Sequence, residues 1–242
     1  MVKMNREVFE NELHKLGIDL TGNQIISFNT YCEFLKEYNS HTNLTAIKED
    51  EGIFLKHFYD SITIVNAIDL NKYDTLIDIG TGAGFPGMVL KIIYPHLKVT
   101  LVDSNNKKIT FLKELAMKLK INGIEFYQGR AEDYVKTHRE QFDIVTARAV
   151  SNLPVLSELC LPLTRLDGYF VAMKGSNKEE IEEAKFAIRT LGGHIEEIVN
   201  FILPIEESER NIIRIRKIKN TPKEYPRRYE KILKTPLKIK EK

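Results

Sequence analysis

The run Asp78-Ile-Gly80-Thr-Gly82-Ala-Gly84-Phe-Pro-Gly87 constrains what this chain can fold into more than any other stretch. Its glycines follow a short apolar run, Leu76-Ile77-Asp78-Ile79, and open an apolar-periodic stretch at residues 86–94. The pattern is strand, tight turn, helix. Glycine permits the sharp turn and lets a ligand approach the main chain at a helix N-terminus. Pro86 sits near the first helical turn, where its missing N–H costs little.

Similar apolar runs recur at residues 99–102, 124–127, 142–145 and 169–173. Helical patterns at 107–119, 131–138, 152–161 and 178–191 separate most of them. Strand–helix alternation with near-continuous apolar strands predicts an α/β fold with a mostly parallel sheet covered on both faces. Residues 195–203 and 211–218 flank a short acidic loop and read as a terminal hairpin. After Asn220, Pro222, Pro226 and Pro236 stand among lysines, which reads as a loop or tail.

The first 70 residues differ. Asn5 caps an amphipathic stretch (Val8, Phe9, Leu13, Leu16) that stops at Gly17. Thr21 and Gln24 form a capping-box pattern ahead of a longer helix through Phe28, Tyr31, Phe34, Leu35 and Tyr38. Residues 39–47 read as polar loop and 50–67 as helix. The expected organisation is a helical extension at 1–70, an α/β domain at 71–220 and a basic tail at 221–242. With 43% hydrophobic and 29% charged residues, a packed core is expected rather than disorder.

No apolar run reaches the roughly 18 residues of a membrane span, and residues 1–7 lead into mixed-charge sequence without a leader pattern. Cys32 and Cys160 form no pair motif, and six histidines are scattered, against a disulfide scaffold or a metal site. A cytoplasmic protein is expected. From Arg210 to the end there are thirteen Lys/Arg and three Glu, a net of +10, which leaves −8 for the rest of a chain whose net charge is +2. Such an end is either a solvated tail or the footprint of a polyanion.

Three ligands suit the glycine loop. A P-loop is excluded, because Met88 and Val89 stand where Lys and Ser/Thr are needed. Gly82-x-Gly84-x-x-Gly87 formally matches a dinucleotide fingerprint. Asp78, inside the apolar run, discriminates: a buried carboxylate needs a donor or cation. A pyrophosphate would be repelled, whereas the ammonium group of S-adenosylmethionine would pair with it. Asp103 ends the next strand, 23 residues past Gly80, near the ~20 expected for an acid that accepts from ribose hydroxyls. Its alternative role is the N-cap of the helix containing Lys107. Gly129-Arg-Ala131-Glu132-Asp133 either reads an adenine edge or simply starts a helix with acids at its positive end. Phe85 either flanks the ligand or packs under the loop.

The segment after the fourth strand runs Thr146-Ala-Arg148-Ala-Val-Ser151-Asn152-Leu-Pro154. It carries no Asp/Asn-Pro-Pro-aromatic motif for exocyclic amines and no Pro-Cys nucleophile; Cys160 reads as core. A nucleophile needing no deprotonation, such as guanine N7, fits what remains, since alignment and water exclusion suffice. No catalytic base is expected. Arg148 is always charged and so a poor base; it either holds the cofactor carboxylate, binds an RNA phosphate, or makes an ion pair.

The glycine loop, Val102-Asp-Ser104 with Lys107-Lys108-x-x-Phe111-Leu112, Thr146-Ala-Arg-Ala149, Met173-Lys-Gly175, Asn43-Leu-Thr-Ala-Ile47 and His57-Phe-Tyr-Asp-Ser61 resemble the bacterial 16S ribosomal RNA guanine-N7 methyltransferase family, first called glucose-inhibited division protein B. The resemblance spans nearly the whole chain. It implies a Rossmann-like, seven-stranded methyltransferase sheet with an N-terminal helical extension. The implied reaction is transfer of a methyl group from S-adenosyl-L-methionine to N7 of a guanine in the decoding-region loop of 16S rRNA, within small ribosomal subunits. Family cofactor contacts carry over to Gly80, Phe85, Ala131, Glu132 and Arg148, alongside Asp78, Gly82, Gly84 and Asp103 from the loop and strand reading. With the family in view, Arg148 and the tail cations Lys223, Arg227 and Arg228 are expected to bind RNA. The tail departs from the family pattern: residues 229–234 replace a Gly-Thr-Pro stretch that is recovered only at Thr235-Pro-Leu237. Truncation after Asn220 is expected to spare cofactor binding. The rival readings are a methyltransferase for a protein or small molecule, a non-enzymatic RNA-binding module, and an NAD-dependent oxidoreductase.

Overall fold

The computed structural model describes residues 3–175 and 178–238. Seven strands form one sheet: β1 (Thr75–Ile79), β2 (Lys98–Asp103), β3 (Ile124–Gln128), β4 (Phe142–Arg148), β5 (Thr164–Gly175), β6 (Gly193–Ile202) and β7 (Glu209–Lys217), in the order β3-β2-β1-β4-β5-β7-β6. The first five are parallel, and β7 inserts antiparallel between β5 and β6. This is the expected sheet with its terminal hairpin. β5 is longer than its apolar run because Thr164 pairs with Phe142 ahead of a register shift.

Strand side chains alternate between two cores. Leu76, Val99, Leu101, Ile144 and Val171 face one core, while Ile77, Val102, Val145, Phe170 and Ala172 face the other. The first core also takes side chains of α5 (Gly87–Ile93), α6 (Asn106–Leu119) and the N-terminal helices. The second takes α7 (Ala131–His138), α8 (Leu153–Cys160), α9 (Lys178–Thr190) and Ile232 of α10 (Tyr229–Lys234). Cys32 and Cys160 are both buried.

The N-terminal segment begins with α1 (Arg6–Lys15), where Val8 N–H donates to the Asn5 side chain at 2.9 Å. In α2 (Gly22–Thr42) the capping box is complete: Gln24 N–H donates to Thr21 Oγ1 and Thr21 N–H to Gln24 Oε1. This helix runs past Tyr38 into the segment expected to be loop. Ser40 and Thr42 hydroxyls donate back to the carbonyls of Glu37 and Tyr38, and Asn43 ends it in the left-handed region at φ 52°. Next come α3 (Asp50–Gly52), a π-helical turn (Ile53–Tyr59), α4 (Asp60–Ile62) and a 3₁₀ turn (Thr63–Asn66). The pattern at 50–67 is therefore helical but not a regular α-helix. π turns concentrate at functional sites, and this one carries Lys56 and His57.

Residues 221–238 are anchored to the body rather than loose. Glu158 of α8 is fully buried and takes Arg227 Nε at 2.8 Å and Nη2 at 2.6 Å. Arg139 donates to the carbonyls of Pro222 and Tyr225, and the buried Lys217 ammonium reaches Thr221 Oγ1 at 2.8 Å and Glu140 at 2.9 Å. Residues 229–234, read as tail, form α10, with Ile232 fully buried.

Candidate active site

The glycine loop rises from the carboxyl end of β1, which pairs with β2 on one side and β4 on the other. In sheets of this kind such a reversal point is where ligands bind. Gly80 and Thr81 N–H groups both donate to Val102 O, tying the loop to β2. At Gly84, φ is +101° and an added Cβ would lie 2.5 Å from Tyr31 Oη, so only glycine fits. Tyr31 in turn donates to Ala83 O, so α2 braces the loop from below.

Asp78 lies beneath this loop and lines neither cleft described below. It is fully buried, and its Oδ2 accepts from Gly87 N–H at 2.8 Å at the start of α5. A Cβ at Gly87 would sit 2.9 Å from that carboxylate, so glycine lets the helix close on it. Asp78 Oδ1 and Thr81 Oγ1 are buried without a well-aligned partner, and the nearby Thr81 hydroxyl counters part of the burial penalty on the Asp78 carboxylate. Phe85 is the middle of an aromatic column: its ring stacks 4.3 Å from His57 and 5.6 Å from Tyr31, with the Arg148 guanidinium 5.5 Å from its centroid. Phe85 thus packs under the loop, the second of the two roles open to it.

Two clefts meet at Ala149, just past β4. The first, of about 280 Å³, is lined by Gly80, Asp103, Arg130, Ala131, Glu132 and Tyr229 among others. Asp103 Oδ2 accepts from Gly82 N–H at 3.0 Å and Oδ1 from Asn105 N–H at 2.8 Å. Asn105, not Asp103, caps α6. Lys108 Nζ lies 3.6 Å from Oδ2, and Oδ1, with Asn105 N–H as its one donor, keeps a second lone pair for a ribose hydroxyl. Glu132 is half-buried, and that burial raises its carboxyl above the usual range.

The second cleft, of about 320 Å³, is lined by Lys56, His57, Asp60, Arg148, Lys174 and Arg210 among others. Distant segments build it: the π turn, α4 and the 3₁₀ turn, the end of β4, and strands β5, β6 and β7. Asp60 is buried and joins two arginines, with Oδ2 2.7 Å from Arg148 Nη1 and Oδ1 3.0 Å from Arg210 Nε. Arg148 also donates to Lys56 O at 2.8 Å. Ala149 is exposed at φ 54°, a strained conformation for a residue with a Cβ and one that gathers at functional sites.

Of the residues expected at the cofactor, Gly80, Asp103, Ala131 and Glu132 share the first cleft and Arg148 lines the second; Asp78, Gly82, Gly84 and Phe85 shape the loop behind them. Among the tail cations, Lys223 and Arg228 are exposed, whereas Arg227 is committed to Glu158. Sequence reasoning missed Lys56, Asp60, Lys174, Arg210 and Tyr229. The motif containing His57 and Asp60 was visible, but nothing local gave it a role.

Burial holds the His57 imidazole down at about 3 and pushes the Asp78 carboxyl up to about 6. The two act on stability with opposite sign. His57 gains a proton only in the unfolded chain as pH falls below 6.5, so acid costs stability. Asp78 keeps its proton in the folded chain up to about 6 but loses it near 3.8 when unfolded, so its contribution is lost as pH rises through that window. His57→Gln should therefore lose less stability than the parent per unit of acidification between about pH 6 and 4, by up to ~1.4 kcal/mol per pH unit. Urea melts at stepped pH measure this, and parallel slopes would mean a solvated imidazole.

Among solved structures, M. jannaschii TYW2 in complex with AdoMet superposes with a TM-score of 0.55 at 13% identity, covering 72% of this chain and 80% of that one. The precorrin-6y C5,15-methyltransferase of Geobacter metallireducens gives 0.50 at 16% identity, covering 65% and 87%. The fold, with its crevice at the sheet's carboxyl edge, is that of the Rossmann-like methyltransferases. The family model GidB, rRNA small subunit methyltransferase G, matches residues 24–213. Curated proteins named ribosomal RNA small subunit methyltransferase G are 54% identical in Bacillus licheniformis and 52% in Bacillus subtilis, each over 93% of this chain and 95% of theirs. That of Exiguobacterium sibiricum is 48% identical over 97% of this chain and its own full length. The chain belongs to the GidB family, and it is an S-adenosylmethionine-dependent methyltransferase.

The residues present fit that cofactor. Asp103 offers a spare acceptor at the first cleft, Arg148 offers a guanidinium at the second, and the Asp78 carboxylate lies buried just under the loop with Oδ1 lacking a well-aligned donor. Among the described residues no helix is long and apolar enough to cross a membrane, and no group of three or more His, Cys, Asp or Glu could hold a metal ion.

Proposed function

We propose that this enzyme methylates N7 of a guanine in the decoding-region loop of 16S rRNA, presented within small ribosomal subunits in the cytoplasm. The observation that carries this reading is the juxtaposition at Ala149 of a nucleoside-sized cleft and a second cleft lined by Lys56, Arg148, Lys174 and Arg210. These cations are paired with Glu206, Glu180 and Asp60, and a cleft lined by such pairs suits a nucleotide whose flanking phosphates compete for the donors.

S-adenosylmethionine supplies an electrophilic methyl group on a sulfonium. Asp103 accepts from the ribose hydroxyls, Ala131 and Glu132 border the adenine, and the main chain at Gly80 borders the methionine portion. Asp78, Gly82, Gly84 and Phe85 hold the loop in shape. Arg148 has donors left for the cofactor carboxylate or an RNA phosphate. Lys223 and Arg228 add RNA contacts on the outer face. The N-terminal 70 residues serve as the wall that brings Lys56, His57 and Asp60 to the second cleft. Asp60 is held between two arginines, and burial keeps His57 a very weak base. That suits guanine N7, which offers a lone pair and has no proton to lose.

Labelled S-adenosylmethionine, incubated with the protein and hypomodified small subunits, should label one guanine at N7; label on another base or on protein would refute the reading. Asp103→Asn should weaken cofactor binding by about 2 kcal/mol, near thirtyfold, because the ribose hydroxyls lose a charged acceptor. Calorimetry measures this, and unchanged affinity would take Asp103 out of the site.

A further inference from the structure

The outer wall of the first cleft comes from a segment beyond the family match. The match ends at residue 213, yet Tyr229 of α10 lines that cleft beside Asp103, Ala131 and Glu132. The Arg130 guanidinium lies 4.7 Å from the Tyr229 ring centroid and lines the cleft as well.

Tyr229 is held from both sides along the chain. Two residues before it, Arg227 grips the buried Glu158 with its side chain and its main-chain N–H. Three residues after it, Ile232 is fully buried in the second core, and Tyr229 itself packs against that core. Leu159, which also lines the cleft, belongs to α8, the helix that carries Glu158. The ring is thus fastened to the framework of the cleft. A phenol with a guanidinium on its face gives the cleft mouth a flat surface of the kind against which purines and riboses pack.

We propose that Tyr229, supported by Arg130, is a cofactor-binding residue: it closes the nucleoside cleft and packs against the adenosine half of S-adenosylmethionine. The proposal rests on the reading of that cleft as the nucleoside site. It follows that α10 is part of the cofactor site and not only a carrier of RNA-binding charge.

The test is calorimetric titration of the full chain with S-adenosylhomocysteine and with adenosine, accompanied by melting curves without ligand. Tyr229→Ala should weaken both ligands by the same factor, roughly tenfold. Tyr229→Phe, which keeps the ring, should stay within about twofold of the parent. If Tyr229→Ala binds both ligands like the parent while Asp103→Asn does not, the proposal is overturned and the nucleoside reading stands. If both variants bind like the parent, that reading falls and the proposal with it. Should Tyr229→Ala melt early, Arg130→Met decides instead: a several-fold loss for both ligands supports the proposal, and unchanged affinity overturns it.

Discussion

Arg227→Ala is expected to destabilise the protein by about 3–5 kcal/mol, a loss of roughly 10 °C or more in Tm for a chain of this size. Its partner Glu158 is fully buried in α8 and takes three donors from Arg227, the main-chain N–H included. Removing the guanidinium leaves a carboxylate in the second core with its counter-charge gone, which is the costly way to break a buried pair. Exchanging both partners for apolar residues, Glu158→Met with Arg227→Met, should recover most of the loss, because no uncompensated charge then remains. Thermal melts of the parent, the single variant and the double variant measure this. A near-neutral Arg227→Ala would show that the C-terminal segment does not dock. The same contacts revise what sequence led one to expect of truncation after Asn220: it removes Arg227 and the Tyr229 wall together, so it should weaken both the fold and cofactor binding.

Asp60→Ala should lower kcat/KM by a few hundredfold, about 3 kcal/mol, although Asp60 is a positioning residue and moves no proton. Its two oxygens hold Arg148 and Arg210, which come from strands β4 and β7. Without the carboxylate, two guanidiniums face each other across the second cleft uncompensated, and their repulsion moves both. Displacement by about 1 Å near reacting groups is enough for losses of ~10². Asp60→Asn keeps one acceptor and should lose less. Steady-state kinetics on small subunits, with cofactor affinity measured separately, would show the effect in RNA-dependent terms. Equal loss of RNA-independent cofactor affinity would mean that Asp60 acts through Arg148 on the cofactor alone.

What could be read from sequence was what local chemistry dictates. The Thr21–Gln24 box, the cap at Asn5, the alternating strands and the Gly80–Gly84 turn each signal through residues a few positions apart, and each stands where expected. Asp103 was legible because its distance from the glycine loop is set by one strand–helix–strand unit. The second cleft was not legible. Asp60 and Arg210 are 150 residues apart, and no periodicity links them. The π turn at 53–59 has the composition of an ordinary helix, and Ala149 carries no mark of its left-handed backbone. The C-terminal segment misled for a related reason. Its prolines amid lysines read as a loop or tail with cations for RNA, and its anchor, Glu158, looks in sequence like any helix acid.

The central claim, that the site transfers a methyl group to a nitrogen with no proton to lose, is tested most directly by single-turnover methylation of small subunits at saturating enzyme and cofactor across pH 6.5–8.5. The rate is expected to be nearly flat, because one positive charge relocates from sulfur to the base and no proton leaves the acceptor on the path. A log-linear rise with a slope near 1 would contradict it and identify an acceptor that must be deprotonated, such as a ribose hydroxyl.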